Sequence, residues 1–191
     1  MKVKILILAI ALIAGLGARY YIDGQDTKDA LALGQLQSGD KMLDLYDQQD
    51  PRVRVVYFGY THCPDVCPTS LAILSAAMKT LPQDTLQKIK PVFITLDPER
   101  DTGKVAEEYA RHFHPNIAGA SGPEDQIRKL AERYGVLFMV TQLEDSAMEY
   151  TVDHSSYFYF IASDGTLIEK VQHTLNPAII ADAIFRTTQN I

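Results

Sequence analysis

Arg52-Val53-Arg54-Val55-Val56-Tyr57-Phe58-Gly59 is dense in β-branched and aromatic side chains and reads as a buried strand. It runs at once into Thr61-His62-Cys63-Pro64-Asp65-Val66-Cys67-Pro68. A helical pattern follows from Thr69 to Lys79, with Leu71, Leu74, Ala77 and Met78 on one face. A buried strand, a tight turn and a helix in that order constrain the fold more than any other feature. They also put the chain's two cysteines at the end of a central strand, where open α/β sheets build their sites.

The remaining elements follow from pattern. Pro91 to Leu96 is a second strand, and Asp97-Pro98-Glu99-Arg100-Asp101-Thr102 is a turn leading into a helix that reaches Phe113. Ile117-Ala118 is a short strand, and a helix starts at Ser121-Gly122-Pro123-Glu124 and runs to Tyr134, where Gly135 ends it. Val136 to Thr141 is extended. Tyr157 to Ala162 is a strong strand, turned by Ser163-Asp164-Gly165 into Leu167 to Val171, and Pro177 opens a last helix to about Thr188. The order is strand, helix, strand, helix, helix, hairpin, helix. It implies an α/β fold with a central mixed sheet flanked by helices, as in a thioredoxin-like fold with an insertion.

Before this domain, expected over residues 51–191, residues 23–50 are polar and read as a tether with a short hairpin, Met42 to Asp47 alternating weakly. Residues 1–22 form a membrane anchor or signal segment: Lys2 and Lys4, an apolar run from Ile5 to Ala18, then Arg19-Tyr20-Tyr21. The run of 14 is shorter than a span of ~20 residues, but Val3, Tyr20, Tyr21 and Ile22 extend it. A cleaved signal peptide ending near Leu16-Gly17-Ala18 is the other reading. Both place the rest of the chain outside the cytoplasm.

Composition narrows the chemistry. The net charge of −6, with no basic cluster beyond the first residues, argues against a nucleic-acid surface. Two cysteines four residues apart close a loop too small to staple a fold, so the pair is better explained by chemistry than by stability. On a helix, positions i and i+4 lie roughly 6 Å apart on one face. Pro68 moves the expected helix start to its own position and leaves both cysteines in the preceding turn, where free N–H groups and the positive dipole end favour thiolates.

Redox dithiol motifs usually read Cys-x-x-Cys, and here three residues intervene. Two thiolates plus an imidazole suit copper, Cu(I) through sulfur and Cu(II) through imidazole, whereas structural zinc wants a fourth ligand. Of five histidines, His62 is next to Cys63 and should point elsewhere, His112 and His114 sit at a helix end, and His173 follows the last strand. His154 lies in the polar loop Val152-Asp153-His154-Ser155-Ser156 before the aromatic strand. That position raises it modestly above the others.

The segment Tyr57-Phe58-Gly59-Tyr60-Thr61-His62-Cys63-Pro64-Asp65-Val66-Cys67-Pro68 resembles the signature of the Sco/SenC copper-chaperone family. Leu96 to Thr102 resembles that family's second motif, and Asp153-His154-Ser155-Ser156-Tyr157-Phe158-Tyr159 its third. The resemblance implies an N-terminal membrane anchor and copper binding by Cys63, Cys67 and His154. It also implies a role in assembling the copper centre of cytochrome c oxidase, with the copper-bearing oxidase subunit and further copper chaperones as partners. Asp97 becomes a candidate support for the site, its simpler role being to cap the following helix. Residues 24–52 match the family's opening hairpin poorly, and His62 stands where the family often has an aromatic residue. With no Arg/Ser-rich transit peptide, the membrane expected is the bacterial inner membrane, with the domain facing the periplasm.

Two other functions fit a cysteine pair. In an extracytoplasmic thiol-disulfide oxidoreductase, Cys63 and Cys67 would form the catalytic redox pair and reduce the client's cysteines. Such enzymes carry a cis-proline where this chain has Thr151-Val152-Asp153-His154-Ser155. A peroxidase, echoed by Cys67-Pro68-Thr69, needs a threonine where this chain has Pro64.

Overall fold

Every residue of β3 (Val53–Gly59) is buried, and that strand is the middle of a five-stranded sheet in the order β5, β4, β3, β8, β9. β4 (Ile89–Thr95) pairs with it in parallel from Val53↔Ile89 to Gly59↔Thr95. β5 (Ala118–Ala120) extends the parallel side. β8 (Tyr157–Ile161) and β9 (Leu167–Gln172) form the antiparallel side. Strands covered on both faces read as unbroken apolar runs, which explains the density of β3 and β8. The sheet is therefore the mixed, helix-flanked sheet implied by the element order.

The computed structural model describes residues 32–143 and 148–189, together with Gly15 and Arg19. The N-terminal segment read as an anchor or signal lies otherwise outside the described residues. Among the described residues no helix is long and apolar enough to cross a membrane. Residues from Gly34 onward form one compact unit. It includes an opening hairpin, β1 (Gln35–Ser38) with β2 (Lys41–Asp44), in the stretch where the family resemblance was poorest. A bridge between Gln37 and Ser121 ties this hairpin to the end of β5.

The helix after β3, α1 (Val66–Thr80), buries Leu71, Leu74, Ala77 and Met78, the face expected from their spacing. A fully buried leucine contributes roughly 1.5–3 kcal/mol, so this stripe is what seats the helix. After the short α2 (Gln83–Leu86) and β4 comes α3 (Gly103–Phe113). The two parallel crossovers step in one direction, so α1 and α3 share a face, where Ser75 Oγ donates to Phe113 O at 2.9 Å. The last helix, α5 (Pro177–Thr187), packs against α1. α4 (Glu124–Arg133) ends as expected at Gly135, whose φ of 66° no β-carbon favours. Beyond it, Tyr134 sets its ring against Phe58 and Tyr159.

Two expectations change. The helix begins at Val66, not at Pro68, so Cys67 is inside its first turn and only Cys63 precedes it. Proline is tolerated there because the N–H groups of a first turn have no intrahelical partner to lose. The segment before the aromatic strand is not a loop. It is β7 (Tyr150–His154), paired antiparallel with β6 (Phe138–Gln142) in a separate two-stranded hairpin.

Candidate functional site

The carboxyl end of β3 delivers the chain to Tyr60, and the turn from Thr61 to Asp65 carries Cys63. Asp65 stands at the N-cap of α1 but makes no side-chain cap hydrogen bond. Cys63 Sγ takes that place, accepting from the Cys67 N–H at 3.4 Å. Cys67 is fully buried, and Cys63 is half-buried. A β-carbon on Gly59 would lie 2.8 Å from Cys67 Sγ, so the strand end needs glycine to leave room for the sulfur.

The two thiols differ sharply in acidity. Cys63 is lowered to about 5, first by the hydrogen bond from the Cys67 thiol, then by the N–H groups of Asp65 and Cys67 and the charge of His154, against the opposing effect of burial. Cys67 is pushed up by donating that hydrogen bond, by burial and by the Cys63 charge. The pair is therefore one thiolate and one thiol sharing a proton.

The hairpin brings the third group. His154, the last residue of β7, sets Nε2 3.5 Å from Cys67 Sγ. Its Nδ1 lies 3.2 Å from Ser155 O, a contact that assigns the neutral ring's proton to Nδ1 and leaves the Nε2 lone pair toward the sulfurs. Burial lowers its pKa and favours that neutral form. Tyr57 and Tyr60 meet the ring edge-on, each with centroids 6.3 Å away. Two sulfurs and an unprotonated imidazole nitrogen are a soft donor set with borderline character, suited to copper in either oxidation state.

Of the other histidines, His62 is exposed and turns to Asp101, its Nδ1 3.6 Å from the carboxylate. His173 Nδ1 meets the hydroxyl of buried Ser70 at 2.7 Å. His112 and His114 stand at the end of α3.

Sequence reasoning singled out Asp97 from the second motif and missed its neighbours. Asp97 does not cap α3; Thr102 does, accepting from Val105 N at 3.3 Å. The Asp97 carboxylate instead accepts from Arg100 Nε and, at 2.8 Å, from the Tyr150 hydroxyl on the hairpin. Arg100 stacks on Tyr150 with its guanidinium carbon 3.6 Å from the ring centroid. It also donates to Met148 O at 3.1 Å and Tyr150 O at 3.2 Å.

Asp101 is fully buried beneath the cysteine turn and accepts from Thr61 N at 2.8 Å, from the Thr61 hydroxyl and, at 2.7 Å, from Thr95 Oγ1. One atom each of His62, Asp97 and Asp101 lies within 4.8 Å of the others, a spacing that could hold a cation. Donors already point at both carboxylates, so this cluster fixes the turn and the hairpin. The sequence signal for it was a Pro-containing run of charges immediately after a buried strand.

A family model described as SCO1/SenC matches residues 42–189. The SCO2-like protein of Rickettsia felis is 34% identical over 181 residues, covering 86% of this chain and 87% of its own. Arabidopsis thaliana ScoI, solved with copper bound, aligns with a TM-score of 0.73 at 32% identity, over 82% of this chain and 96% of that one. Bradyrhizobium japonicum ScoI, also with copper bound, aligns with a TM-score of 0.66 at 32% identity, over 80% and 96%. These likenesses fit the thioredoxin-like α/β fold. The matched span holds the cysteine turn, the charged turn after β4 and the histidine hairpin together, and the chain belongs to the SCO1/SenC family.

Proposed function

We propose that this protein is a copper carrier that takes one copper ion on Cys63 Sγ, Cys67 Sγ and His154 Nε2. Its client is the copper-bearing subunit of cytochrome c oxidase, to which it passes the ion by ligand exchange, with further copper chaperones as partners on the supply side. The observation that carries this reading is the approach of His154 Nε2 to Cys67 Sγ at 3.5 Å, beside a Cys63 already in thiolate form. Residues 1–22 would hold the domain at the outer face of a bacterial inner membrane.

The ion is cargo. Cys63 needs to release no proton to receive it, whereas Cys67 must release one, so loading is favoured by a base and by rising pH. Burial of Cys67 shields the bound ion from solvent, and half-buried Cys63 with the exposed hairpin leaves one side open to a competing client ligand. A disulfide between the cysteines would remove both sulfur donors.

Anaerobic titration of the reduced chain with copper tests this. About one ion per chain is expected, with loss of binding in Cys63→Ser and Cys67→Ser and a selective loss of Cu(II) in His154→Ala. Undiminished Cu(II) affinity in His154→Ala would sink the three-ligand centre.

The acidic Cys63 thiolate beside a protonated, buried Cys67 also favours a second reading, a thiol reductase. Cys63 would attack a client disulfide and expel one client thiolate. Cys67, giving up its proton, would then attack the Cys63 sulfur and expel the second, and the dithiol supplies both electrons. Insulin reduction by the copper-free reduced chain measures this activity separately.

A further inference from the structure

A groove of about 620 Å³ opens at the end of the sheet away from the cysteines, where β3 and β4 begin. Seven strand residues at ~3.3 Å each put it about 20 Å from the cysteine turn, too far to share its ligands. Arg52, Lys90, Arg111 and His114 line it together with the amides Gln83 and Gln87, and no carboxylate lines it among the described residues. In a chain of net charge −6 this is a local reversal of sign.

Arg52 and Lys90 share one ion-pair partner, Asp50. Asp50 faces three cations: Arg52, whose Nε and one terminal nitrogen grip both carboxylate oxygens at 2.8 and 2.7 Å and leave the other terminal nitrogen, Lys90 at 3.5 Å and Arg54 at 4.0 Å. Arg54 is fully buried and spends its donors on the carbonyls of Leu45, Asp47, Asp50 and Arg52. The Lys90 ammonium has only long contacts, 3.4 Å to Asp44 O and 3.5 Å to Asp50, and so is poorly satisfied.

Arg111 gives Nε to Glu107 at 2.6 Å, which leaves its two terminal nitrogens. His114 Nδ1 accepts from Asn116 N at 3.1 Å, so its neutral ring carries the proton on Nε2 and is a donor as well. Arg111 stands in the last turn of α3, where a cation offsets a helix dipole worth about half a charge, and neutral His114 is the C-cap of that helix. That accounts for neither Arg52 nor Lys90, which stand at strand starts with no helix end to compensate.

We infer that this groove is an oxyanion site for a phosphoryl group, held by Lys90 and Arg52 on one side and Arg111 and His114 on the other. The remaining terminal guanidinium nitrogens of Arg52 and Arg111, the Lys90 ammonium and the His114 Nε2–H together match the several acceptor oxygens and negative charge of a phosphate. The phosphoryl group comes either from an anionic phospholipid headgroup or from a free phosphate, and the two sources separate experimentally.

The test is acetylation footprinting of Lys90 in the full chain at constant ionic strength, with Lys170 on β9 as the internal control. Inorganic phosphate at about ten times its Kd is expected to slow Lys90 acetylation roughly tenfold and leave Lys170 unchanged. In a second arm the full chain is mixed with phosphatidylglycerol or phosphatidylcholine vesicles. Protection by phosphatidylglycerol alone assigns the site to a headgroup. Protection by free phosphate, with the two vesicles equal, assigns it to a soluble phosphate. The double variant Arg52→Gln, Arg111→Gln is expected to lose the protection and keep the copper stoichiometry of the parent chain. Failure of both phosphate and phosphatidylglycerol to protect Lys90 overturns the assignment, as does protection that survives loss of both arginines. Should the variant not fold, the footprint of the unsubstituted chain decides alone.

Discussion

The cysteines and the histidine of the candidate centre are held by two different kinds of structure. Cys63 and Cys67 hang between β3, buried along its whole length, and α1, whose apolar face is buried in the same core. His154 ends a two-stranded hairpin that pairs with no strand of the central sheet, and its neighbours Leu137, Met139 and Val140 are 76%, 64% and 49% exposed. The hairpin is tied down by polar contacts: Tyr60 to Thr151 at 2.7 Å, and the Arg100–Asp97–Tyr150 cluster. Sulfur geometry thus belongs to global stability, and imidazole geometry to a unit that opens at lower cost. If the chain carries copper as proposed, release would begin most cheaply at the hairpin, with the nitrogen ligand leaving before the sulfurs.

The largest expected effect falls on the core side. Asp101→Ala leaves Thr61 N, Thr61 Oγ1 and Thr95 Oγ1 without their acceptor and is expected to cost about 4 kcal/mol, since charge-assisted bonds are worth roughly 1.5–3 kcal/mol each and do not add fully. Urea denaturation of the reduced chain measures it. A loss under about 1 kcal/mol would mean that the turn is not held by the core.

Arg100→Met comes next, at about 3 kcal/mol, because it strands the Asp97 carboxylate, only 4% exposed, without its cation. Its diagnostic effect is on the metal. With the hairpin's anchor gone, Cu(II) affinity should fall toward that of His154→Ala, and Cu(I), held by sulfur, should change far less. Equal losses for both ions would break the distinction between the two regions.

Gly59→Ala tests the core side from within. The added β-carbon meets a sulfur fixed on a helix backbone at 2.8 Å and the Phe93 ring at 3.1 Å, an overpacking expected to cost about 2 kcal/mol. Copper affinity should drop for both oxidation states, because Cys67 itself is displaced. An effect confined to Cu(II) would show that the strain had been passed to the hairpin.

The same division decided what could be read from sequence. Strands buried on both faces and a helix with a clean apolar stripe announce themselves through composition and period, so β3, β4, β8 and α1 were legible from residues such as Val55, Phe93, Phe158 and Leu71. Pro68 misled by two residues because a first turn accepts proline at any position that lacks an intrahelical N–H partner. The β6–β7 hairpin was read as one extended segment and one loop. Its pairing is local, its faces are half-exposed and its stretch Val152–Ser156 looks polar. His154 stood out by position only modestly, and the family motif, not spacing, singled it out. Arg100 and Asp101 were invisible as partners, since their contacts reach Tyr150, 50 residues on, and Thr61, 40 residues back.

The smallest expected effect is also the finest probe of the comparison. Cys63 is acidic mainly because of groups on the core side, the Cys67 thiol and the N–H groups at the start of α1, and the His154 charge contributes least among the named causes. Iodoacetamide should therefore modify Cys63 of the reduced, metal-free chain at a rate that rises with its thiolate fraction, is half-maximal near pH 5 and is flat by neutrality. Buried Cys67 should stay silent over that range, because its proton is held by the bond to Cys63. In His154→Ala the midpoint should move upward only slightly, as losing the imidazole's small electrostatic support for the thiolate raises a thiol's pKa. A midpoint that returned to the ordinary thiol range would place control of the nucleophile on the hairpin and reverse the division of labour drawn from the structure.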